Sequence, residues 1–379
     1  MAGLYIHIPF CESRCIYCGF YSTTSLALRE RYVEALCQEA DMRPAAIETG
    51  GNEPISTVYL GGGTPSQLDS KHLERLFDAI GKVYAPFSSS AEVTMECNPD
   101  DVTSEFCIAL SHLPINRISM GAQTFSDERL RFLHRRHNAG EVRDAVARLR
   151  KIGIGNISID LMFGFPGESI EDWQRDIEEA IALGVEHISA YSLMVEEGTP
   201  LHRMTERGEI KETDEELSRL MYETLIDRLT AAGYEHYEIS NFAKPGFRSR
   251  HNSSYWHEVP YIGLGAAAHS YNREERSWNV ADIRQYIESI SRGTRPCERE
   301  ELDLRTRYND LITTALRTSD GIATEEVRKR YGKEIYEYFM READKHMGLG
   351  LMKIREGHLS LTRQGLFISD DIMSDFMMV

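Results

Sequence analysis

The feature of the sequence that most restricts its possible folds is a regular alternation of short apolar segments with longer charged ones. The apolar segments are rich in β-forming residues, and the stretches between them have helical periodicity. The predicted strands cover residues 3–8, 56–60, 91–96, 116–120, 156–161 and 187–193. Consecutive parallel strands of a sheet are joined by right-handed helical crossovers. The alternation therefore predicts an α/β fold with a parallel sheet, which is either open and doubly wound or closed as a barrel.

Size and composition agree with a folded α/β protein of more than one domain. The 379 residues are enough for two domains at about 100 to 200 residues each. A hydrophobic fraction of 41% and a charged fraction of 27% exclude a disordered or fibrous chain. The 43 basic and 60 acidic residues give a net charge of −17, which argues against nucleic acid or an anionic membrane surface as the main partner.

The amino-terminal residues and the hydropathy predict a cytoplasmic protein. Residues 1–9 contain no basic segment followed by a long apolar one, so no signal peptide is recognised. No run of about 18 apolar residues predicts a membrane-spanning helix. The 7 cysteines are too few for a disulfide framework in a chain of 379 residues, and they fit a reducing compartment.

A second, smaller domain is predicted after residue 296, where the composition changes at Gly293–Pro296. We therefore predict domains over residues 1–296 and 297–379. The patterns in the second domain predict helices over 305–317 and 323–346, and a hairpin from Leu351 to Leu361 that turns at Glu356 and Gly357. This order is mostly helical and winged-helix-like, and the acidic balance predicts docking on the first domain rather than on DNA.

Polar and glycine residues follow four of the predicted strands at the points where the strands end. They are the run Gly61–Thr64, Glu96, Gln123 and Asp160. Because the carboxyl ends of parallel strands meet at one edge of a sheet, we expect these residues to line a common mouth. An aromatic-rich stretch from Tyr234 to Tyr261 predicts a lid on this mouth or an extension of it.

Three cysteines, Cys11, Cys15 and Cys18, lie after the first predicted strand with the spacing C-x3-C-x2-C. Structural zinc usually takes four ligands, and no second pair lies nearby. A redox pair would need only two of the three thiols. Three thiolates can also hold an iron–sulfur cluster whose fourth iron is free for another ligand. The remaining cysteines are predicted to be buried apolar residues: Cys37, Cys97, Cys107 and Cys297.

The cysteine spacing, with Tyr17 before the third cysteine, is the signature of the radical S-adenosylmethionine (SAM) enzymes. Further motifs extend this resemblance over nearly the whole chain. They are His7–Cys11, Gly61–Ser66, Met95–Pro99, Arg117–Gln123 and Asp160–Gly167. Together they resemble the oxygen-independent coproporphyrinogen III oxidase family. The resemblance implies a radical SAM partial (β/α)6 barrel, similar to a TIM barrel, followed by the family's small C-terminal domain.

Two positions make the chain similar to the heme-chaperone branch of this family. The porphyrinogen-oxidising members carry a fourth cysteine two residues after the triad and a longer N-terminal segment, whereas here that position is Phe20 and ten residues precede Cys11. The segment His251–Trp256 matches the HNxxYW motif of the chaperone branch. Gly19 departs from the aspartate of many relatives, and it touches no expected ligand.

The resemblance implies a [4Fe–4S] cluster on the three cysteines and a SAM molecule beside it. The residues that match the family's SAM contacts are Tyr5, Gly62, Gly63, Thr64, Glu96, Gln123, Arg135 and Asp160. Glycines expose backbone groups to the amino acid part of SAM, and an arginine can bind a carboxylate with two hydrogen bonds. The two acidic residues accept hydrogen bonds from ribose hydroxyls or balance the charge of the sulfonium.

Each of these residues also has a structural interpretation. The triple glycine can form a tight turn, and the two carboxylates can form ion pairs with Arg117 or Arg135. Tyr5 is equally suited to the core. The choice of Arg135 over the adjacent Arg136 depends on motif spacing.

The resemblance also implies a heme site on the HNxxYW segment. A neutral His251 imidazole can ligate heme iron, Tyr255 and Trp256 can stack on the macrocycle, and Asn252 can orient the loop. The alternative is a lid histidine that is hydrogen-bonded within a small aromatic cluster.

Two functions from different classes follow. The first is a heme chaperone, in which a SAM-binding cluster supports heme binding and transfer to acceptor proteins, including membrane-associated ones. The second is an enzyme that decarboxylates coproporphyrinogen III to protoporphyrinogen IX by radical SAM chemistry, and heme degradation is a third, weaker candidate. Both main functions imply a heme or porphyrin ligand and a low-potential electron donor, without nucleic acid or a membrane segment. The absent fourth cysteine at Phe20 favours the chaperone.

Overall fold

The computed structural model describes residues 2–44, 54–84 and 87–378. Most of its strands belong to one large sheet. In chain order these are β1 (Ala2–Ile8), β2 (Ile55–Gly62), β3 (Glu92–Cys97), β4 (Arg117–Gln123), β5 (Asn156–Phe163), β6 (His187–Ser192), β7 (Glu235–Glu238), β8 (Asn241–Ala243), β9 (Tyr261–Leu264), β10 (His269–Tyr271), β11 (Glu275–Asn279) and β12 (Cys297–Glu301). The first six of these strands confirm the six predicted from the sequence.

The strand order of this sheet is β12-β11-β10-β9-β1-β2-β3-β4-β5-β6-β8-β7. The strands from β9 to β6 run parallel, and the strands added at each edge run antiparallel. Among the described residues no strand pairing joins β12 to β7, so the sheet is not closed by hydrogen bonds. The predicted α/β fold with a central parallel sheet is confirmed.

Helices connect the parallel strands and cover the outer face of the sheet. The α-helices up to β12 are α1 (Arg29–Met42), α2 (Ser70–Tyr84), α3 (Ser104–Leu110), α4 (Asp127–Phe132), α5 (Ala139–Lys151), α6 (Ile170–Ala182), α7 (Pro200–Glu206), α8 (Glu215–Ala231), α9 (Arg250–Trp256) and α10 (Ile283–Ser291). Short 3-10 helices span Leu26–Leu28, Pro65–Gln67 and Pro99–Asp101. Capping boxes at Asn138 and Ser169 satisfy backbone amides at the starts of α5 and α6.

The alternation of side chains along β1 separates the outer core from the interior of the curved sheet. Leu4, Ile6 and Ile8 are fully buried in the hydrophobic core on the outer side. Tyr5 and His7 point to the other side, where their side chains hydrogen-bond each other at 3.0 Å. The strands therefore present an apolar outer face and a partly polar interior.

The C-terminal part contains α11 (Leu304–Ala315), β13 (Ile322–Ala323), α12 (Thr324–Gly348), β14 (Met352–Arg355), β15 (His358–Leu361), α13 (Arg363–Leu366) and α14 (Ser369–Phe376). Its three strands form a separate sheet in the order β13-β15-β14, and its apolar residues form a second core. The predicted hairpin is confirmed, and Glu356 and Gly357 turn it with φ values of 53° and 80°. Since β12 still pairs with β11 in the large sheet, that sheet extends past the predicted boundary at residue 297.

The C-terminal part docks on the first part of the chain through ion pairs. Arg363 bonds Asp227 on α8 at 2.5 Å, and Arg317 bonds Glu238 on β7 at 2.9 Å. Among the helices described, none is long and apolar enough to cross a membrane.

Candidate functional site

A cavity opens at the carboxyl ends of the parallel strands, where the sequence predicts a common mouth. The residues predicted for the cluster and for SAM that line it are Cys11, Cys15, Cys18, Gly62, Gly63, Thr64, Glu96, Gln123, Arg135 and Asp160. They come from five strand ends and from the segment between α4 and α5. The tertiary structure thus brings together residues that lie up to 149 positions apart in the chain, between Cys11 and Asp160.

The three cysteines lie in the loop after β1, and all three are free and half-buried. Backbone hydrogen bonds hold this loop, from Cys11 N to Thr23 O at 3.0 Å and from Thr23 N to Pro9 O at 2.7 Å. Cys11 Sγ lies 3.4 Å from Thr64 Oγ1. Burial raises the pKa of the Cys11 and Cys18 thiols.

The donor set fits a cluster better than a single metal ion. Within residues 2–44, 54–84 and 87–378, no three His, Cys, Asp or Glu side chains converge as ligands of one ion. A four-iron cluster places each thiolate on a different iron, so its sulfur ligands do not have to meet at one point. Three free thiols on one cavity wall satisfy that requirement. The other cysteines differ from the prediction in part, because Cys97 and Cys107 are buried while Cys37 and Cys297 are only half-buried.

The glycines after β2 are required by close packing as well as by the cavity. Gly62 has a φ of 112°, and a Cβ atom there would lie 2.5 Å from His7 Cε1. A Cβ atom on Gly63 would lie 2.7 Å from the backbone carbonyl carbon of Pro9. The turn and the ligand interpretations are therefore compatible, since side chains are excluded and bare backbone lines the cavity.

Glu96 accepts two hydrogen bonds from β2 and its loop. Tyr59 donates from its hydroxyl to Oε1 at 2.7 Å, and Gly62 N donates to Oε2 at 3.1 Å. Burial raises the pKa of Glu96 to about 7, although both hydrogen bonds favour the charged form. Within the described chain Glu96 has no ion pair, which differs from the structural alternative considered for it.

Asp160 lies across the cavity on β5, in register with Gly121 of β4. Burial raises its pKa to about 6, against the opposing effects of the Ser189 hydroxyl and of Arg117. Arg117 is itself buried and donates to Asn156 Oδ1 at 2.9 Å rather than to the carboxylate. Two partly protonated carboxylates near neutral pH are thus available to a ligand in this cavity.

The structure distinguishes the two adjacent arginines. Arg135 points into the cavity, where Nη1 lies 3.5 Å from Cys15 Sγ and Nη2 donates to Asn98 Oδ1 at 2.8 Å. Arg136 also borders the cavity, but its guanidinium pairs with acidic side chains, among them Asp101 at 2.7 Å. Arg135 is therefore the arginine beside the cysteines, in agreement with the motif spacing.

Gln123 adopts a left-handed backbone conformation with φ of 65° at the end of β4. The register of β4 with β5 shifts between Gly121 and Gln123, which marks a bulge. A Cβ atom on Gly121 would lie 2.7 Å from Gln123 Nε2. The bulge and the glycine together let the amide of Gln123 turn back over the strand toward the cavity.

Tyr5 does not line the cavity and lies in the interior beneath it. Its hydroxyl bonds His7 Nδ1 at 3.0 Å, and its ring lies 6.2 Å from that of Tyr59.

The HNxxYW segment lies farther from the cavity than Tyr5 does, because it forms α9 at the amino ends of the strands. His251 N donates to Oε1 of Glu92, the first residue of β3, at 3.0 Å. The prediction that this stretch covers the mouth is wrong for α9, which packs at the opposite end of the strands.

His251 is almost completely buried, at 1% exposure, and both of its ring nitrogens are engaged. Nδ1 bonds Thr57 Oγ1 at 2.8 Å, and Nε2 bonds the Tyr255 hydroxyl at 2.8 Å. Its ring also stacks on Tyr59 with centroids 5.0 Å apart. Asn252, Tyr255 and Trp256 are half-buried on the same helix. The structure brings these four residues together, but apart from the cysteines.

Two residues that hold side chains of the cavity in place were missed by the sequence analysis. Tyr59 supports Glu96, and it could have been found because it lies two positions before Gly61 and so on the same face of β2. Asn98 supports Arg135, and it belongs to the motif Met95–Pro99 without having been assigned a role.

Comparison with known proteins agrees with this geometry. Residues 5–180 match the family model of the radical SAM superfamily, and residues 302–368 match that of the HemN C-terminal domain. The heme chaperone HemW of Bacillus subtilis is 35% identical over 100% of this chain and 99% of its own. The heme chaperone HemW of Synechocystis is 38% identical over 84% of this chain and 78% of its own.

Among solved structures, the coproporphyrinogen III oxidase HemN of Escherichia coli superposes with a TM-score of 0.84 over 99% of this chain and 89% of its own. At 22% identity this similarity concerns the fold. The relatives and the two family models lead to one assignment: the chain is a radical SAM protein and belongs to the family of the heme chaperone HemW.

Proposed function

We propose that this protein is a heme chaperone, which binds heme and delivers it to acceptor proteins. The observation that carries the proposal is similarity over the full length of the chain to proteins named heme chaperone HemW. Phe20 supports it, because this residue is 73% exposed on the cavity wall at the position where porphyrinogen-oxidising members have a fourth cysteine. We expect a low-potential electron donor and heme-free acceptor proteins as partners. We also propose that the chain divides into two domains at residue 297.

The cavity is proposed to hold a [4Fe–4S] cluster on Cys11, Cys15 and Cys18, with SAM beside it. Such a cluster with SAM supplies one-electron reductive chemistry. The chain's own residues provide charge and shape. Arg135 Nη1 lies 3.5 Å from Cys15 Sγ and places a positive charge beside this sulfur. The backbone of Gly62 and Gly63 offers polar groups at the cavity wall without side-chain obstruction.

The carboxylates are proposed to bind the nucleoside part of SAM and to balance its positive sulfonium. Glu96 and Asp160 face the same cavity, and in their charged forms both can accept hydrogen bonds from hydroxyl groups. Gln123 and Thr64 add neutral donors and acceptors on the wall. Tyr5 is proposed to act from beneath through Tyr59, since it does not line the cavity.

The HNxxYW segment is proposed to contribute to heme binding through Asn252, Tyr255 and Trp256, which are half-buried. A role for His251 as the iron ligand would require the loss of a buried hydrogen bond, either the one to Thr57 or the one to Tyr255. Such a loss costs about 1 kcal/mol or more, because the partner group is left unsatisfied.

The second candidate function is oxidation of coproporphyrinogen III. It is favoured by the fold similarity to the Escherichia coli oxidase, with a TM-score of 0.84. It predicts formation of protoporphyrinogen, which the chaperone proposal does not. The two proposals therefore differ in product as well as in binding.

The deciding experiment uses protein purified and reconstituted without oxygen. Hemin binding and transfer to a heme-free acceptor are measured beside assays for protoporphyrinogen and 5′-deoxyadenosine. Hemin transfer without protoporphyrinogen is expected. Protoporphyrinogen formed over several turnovers would contradict the chaperone proposal.

The cluster assignment is tested by Cys15→Ala, with Cys37→Ala as the matched control. Both cysteines are free and half-buried, but only Cys15 lines the cavity. Iron content and cluster absorbance should be lost in the first variant and kept in the second. Equal iron content in both would overturn the assignment of the triad.

A further inference from the structure

The face of the large sheet that bears Tyr5 continues onto its antiparallel edge, and we call this surface the inner face. Ser270 on β10 points the other way, toward α1, because its hydroxyl accepts a hydrogen bond from Arg43 at 3.0 Å. Side chains alternate along a strand, so the neighbouring His269 lies on the inner face. Its side chain is exposed there.

Trp278 lies directly opposite His269 in the pairing of β10 with β11. The next residue, Asn279, points toward α1 and donates to Glu39 Oε1 at 2.8 Å, so Trp278 also lies on the inner face. The two rings stack, with centroids 5.8 Å apart and planes inclined by 25°. This contact fixes the plane of the imidazole.

Aromatic rings continue the inner face from this pair toward α9. Tyr271 lies 6.2 Å from Tyr261, whose ring lies 4.7 Å from that of Tyr255. All three side chains are half-buried. The surface beside His269 therefore carries several aromatic rings, which suit a large planar macrocycle, and Arg276 lies opposite Tyr271 on the same face.

The ring nitrogens of His269 are available, in contrast to those of the other histidines on this face. His251 and His7 each have both nitrogens hydrogen-bonded. Within the described part of the chain, neither nitrogen of His269 bonds another protein group. Partial burial, and then the charge of Arg276, lower the pKa of His269, so its ring is neutral at neutral pH.

His269 is held on a rigid support. Gly265 N donates to Glu39 Oε2 at 2.8 Å, and Ala266 N donates to the Tyr32 hydroxyl at 2.9 Å, in the turn that precedes the histidine. A Cβ atom on Gly263 would lie 1.9 Å from the carbonyl oxygen of His269, so the two strands approach closely. A histidine held by these contacts is already positioned to ligate a metal ion.

His269 also lies near His7, which packs against a glycine of the cavity wall. Burial is the main reason that the pKa of His7 falls to about 4, and the nearby His269 lowers it further. The ring of His7 lies against Gly62, which lines the cavity. His269 lies beside Gly263, which pairs with Tyr5 of β1, whereas His251 binds Glu92 at the amino ends of the strands.

We propose that His269 ligates the iron of bound heme through a ring nitrogen, and that Trp278 fixes the plane of its imidazole; this proposal rests on the proposed heme-chaperone function. The exposed imidazole with free nitrogens, the stacked indole and the adjoining tyrosines form one surface. Heme is held by an axial ligand and by packing against the faces of its ring, and this surface offers a histidine and aromatic side chains together.

The test titrates the full-length protein with hemin and records absorbance and electron paramagnetic resonance spectra. His269→Ala should weaken hemin binding about tenfold or more and should remove the spectrum of nitrogen-ligated iron. Added imidazole should restore that spectrum, which a merely structural role of His269 would not predict. Trp278→Leu should keep a nitrogen ligand but alter the resonance values that report the orientation of the imidazole.

Two further variants make the result specific. His112→Ala is the matched control, because His112 is also exposed but lies outside the inner face. His251→Gln, which keeps a polar side chain in the core, should retain the nitrogen-ligated spectrum. The proposal is overturned if His269→Ala leaves affinity and spectrum unchanged, or if only His251→Gln loses the spectrum and imidazole restores it.

The proposed function can fail separately from this assignment. Wild-type protein that binds no hemin contradicts the chaperone function and the ligand together. Wild-type protein that binds and transfers hemin, with a spectrum insensitive to His269→Ala, contradicts the ligand alone.

Discussion

Tyr59 donates a hydrogen bond to Glu96 Oε1 at 2.7 Å, and its ring stacks on His251 with centroids 5.0 Å apart. One tyrosine therefore contacts both the carboxylate on the cavity wall and the histidine of the HNxxYW segment. The segment supports the wall of the cavity from beneath, although it does not line the cavity.

Removal of this hydroxyl should change the titration of Glu96. In Tyr59→Phe the carboxylate loses a hydrogen bond that stabilises its charged form, so the pKa of Glu96 should rise above about 7. SAM binding that requires the charged carboxylate should then shift to higher pH. Calorimetric titration with SAM from pH 6 to pH 9 measures the shift, with Tyr336→Phe in the C-terminal part as the control. An unchanged pH profile would show that Tyr59 does not act on Glu96.

The raised pKa of Glu96 also predicts a pH-dependent stability. The carboxyl titrates near 4.5 in the unfolded chain and near 7 in the folded protein, so the folded state binds more protons over this interval. Folding stability from this group therefore falls as the pH rises from about 4.5 to 7, by up to about 3 kcal/mol. Glu96→Gln lacks the effect, so its melting temperature relative to wild type should increase between pH 5 and pH 8. The exposed Glu334→Gln serves as control, and the same difference at both pH values would refute the effect.

The neighbouring arginines should differ in their effect on the cluster. Arg135→Gln removes the positive charge beside Cys15, so iron content and the resistance of the cluster to loss during dialysis should fall several-fold. Arg136→Gln removes a guanidinium that pairs with the carboxylates of Glu12, Asp100 and Asp101 rather than with a thiol, so the cluster should be retained. Iron analysis and absorbance during dialysis measure both. Comparable loss in the two variants would argue against a specific role of Arg135.

Gly63 should tolerate no side chain. In Gly63→Ala the Cβ atom would lie 2.7 Å from the backbone of Pro9, so the loop after β1 has to shift, at a cost of about 1 to 3 kcal/mol. The cysteines follow directly in that loop, so iron binding should also decrease. Gly81→Ala is the matched control, because it lies on α2 with no atom within 4 Å of the added Cβ and should stabilise the helix by about 1 kcal/mol. Thermal unfolding and iron analysis compare the two, and equal stability would contradict the predicted clash.

Several elements could be predicted from local patterns alone. The six parallel strands appear in the sequence because burial on both faces requires short apolar runs, and helices appear between them because their apolar residues repeat every three or four positions. The hairpin at Glu356 and Gly357 could be predicted because glycine favours the tight turn of a hairpin. In the structure both residues adopt positive φ. The convergence of Gly62, Glu96 and Asp160 followed from the common edge of a parallel sheet.

The parallel α/β fold, the cysteine triad and its neighbours at the strand ends could be predicted without a structure, because they depend on spacing within short segments. The position of α9 at the amino ends of the strands depends instead on tertiary packing, since His251 bonds Thr57, which lies 194 positions earlier in the chain. Tertiary packing also engages both ring nitrogens of His251, whereas those of His269 bond no other group in the described part of the chain. The reason is physical: the partners of a buried polar side chain are set by packing between distant segments, and no local pattern records them.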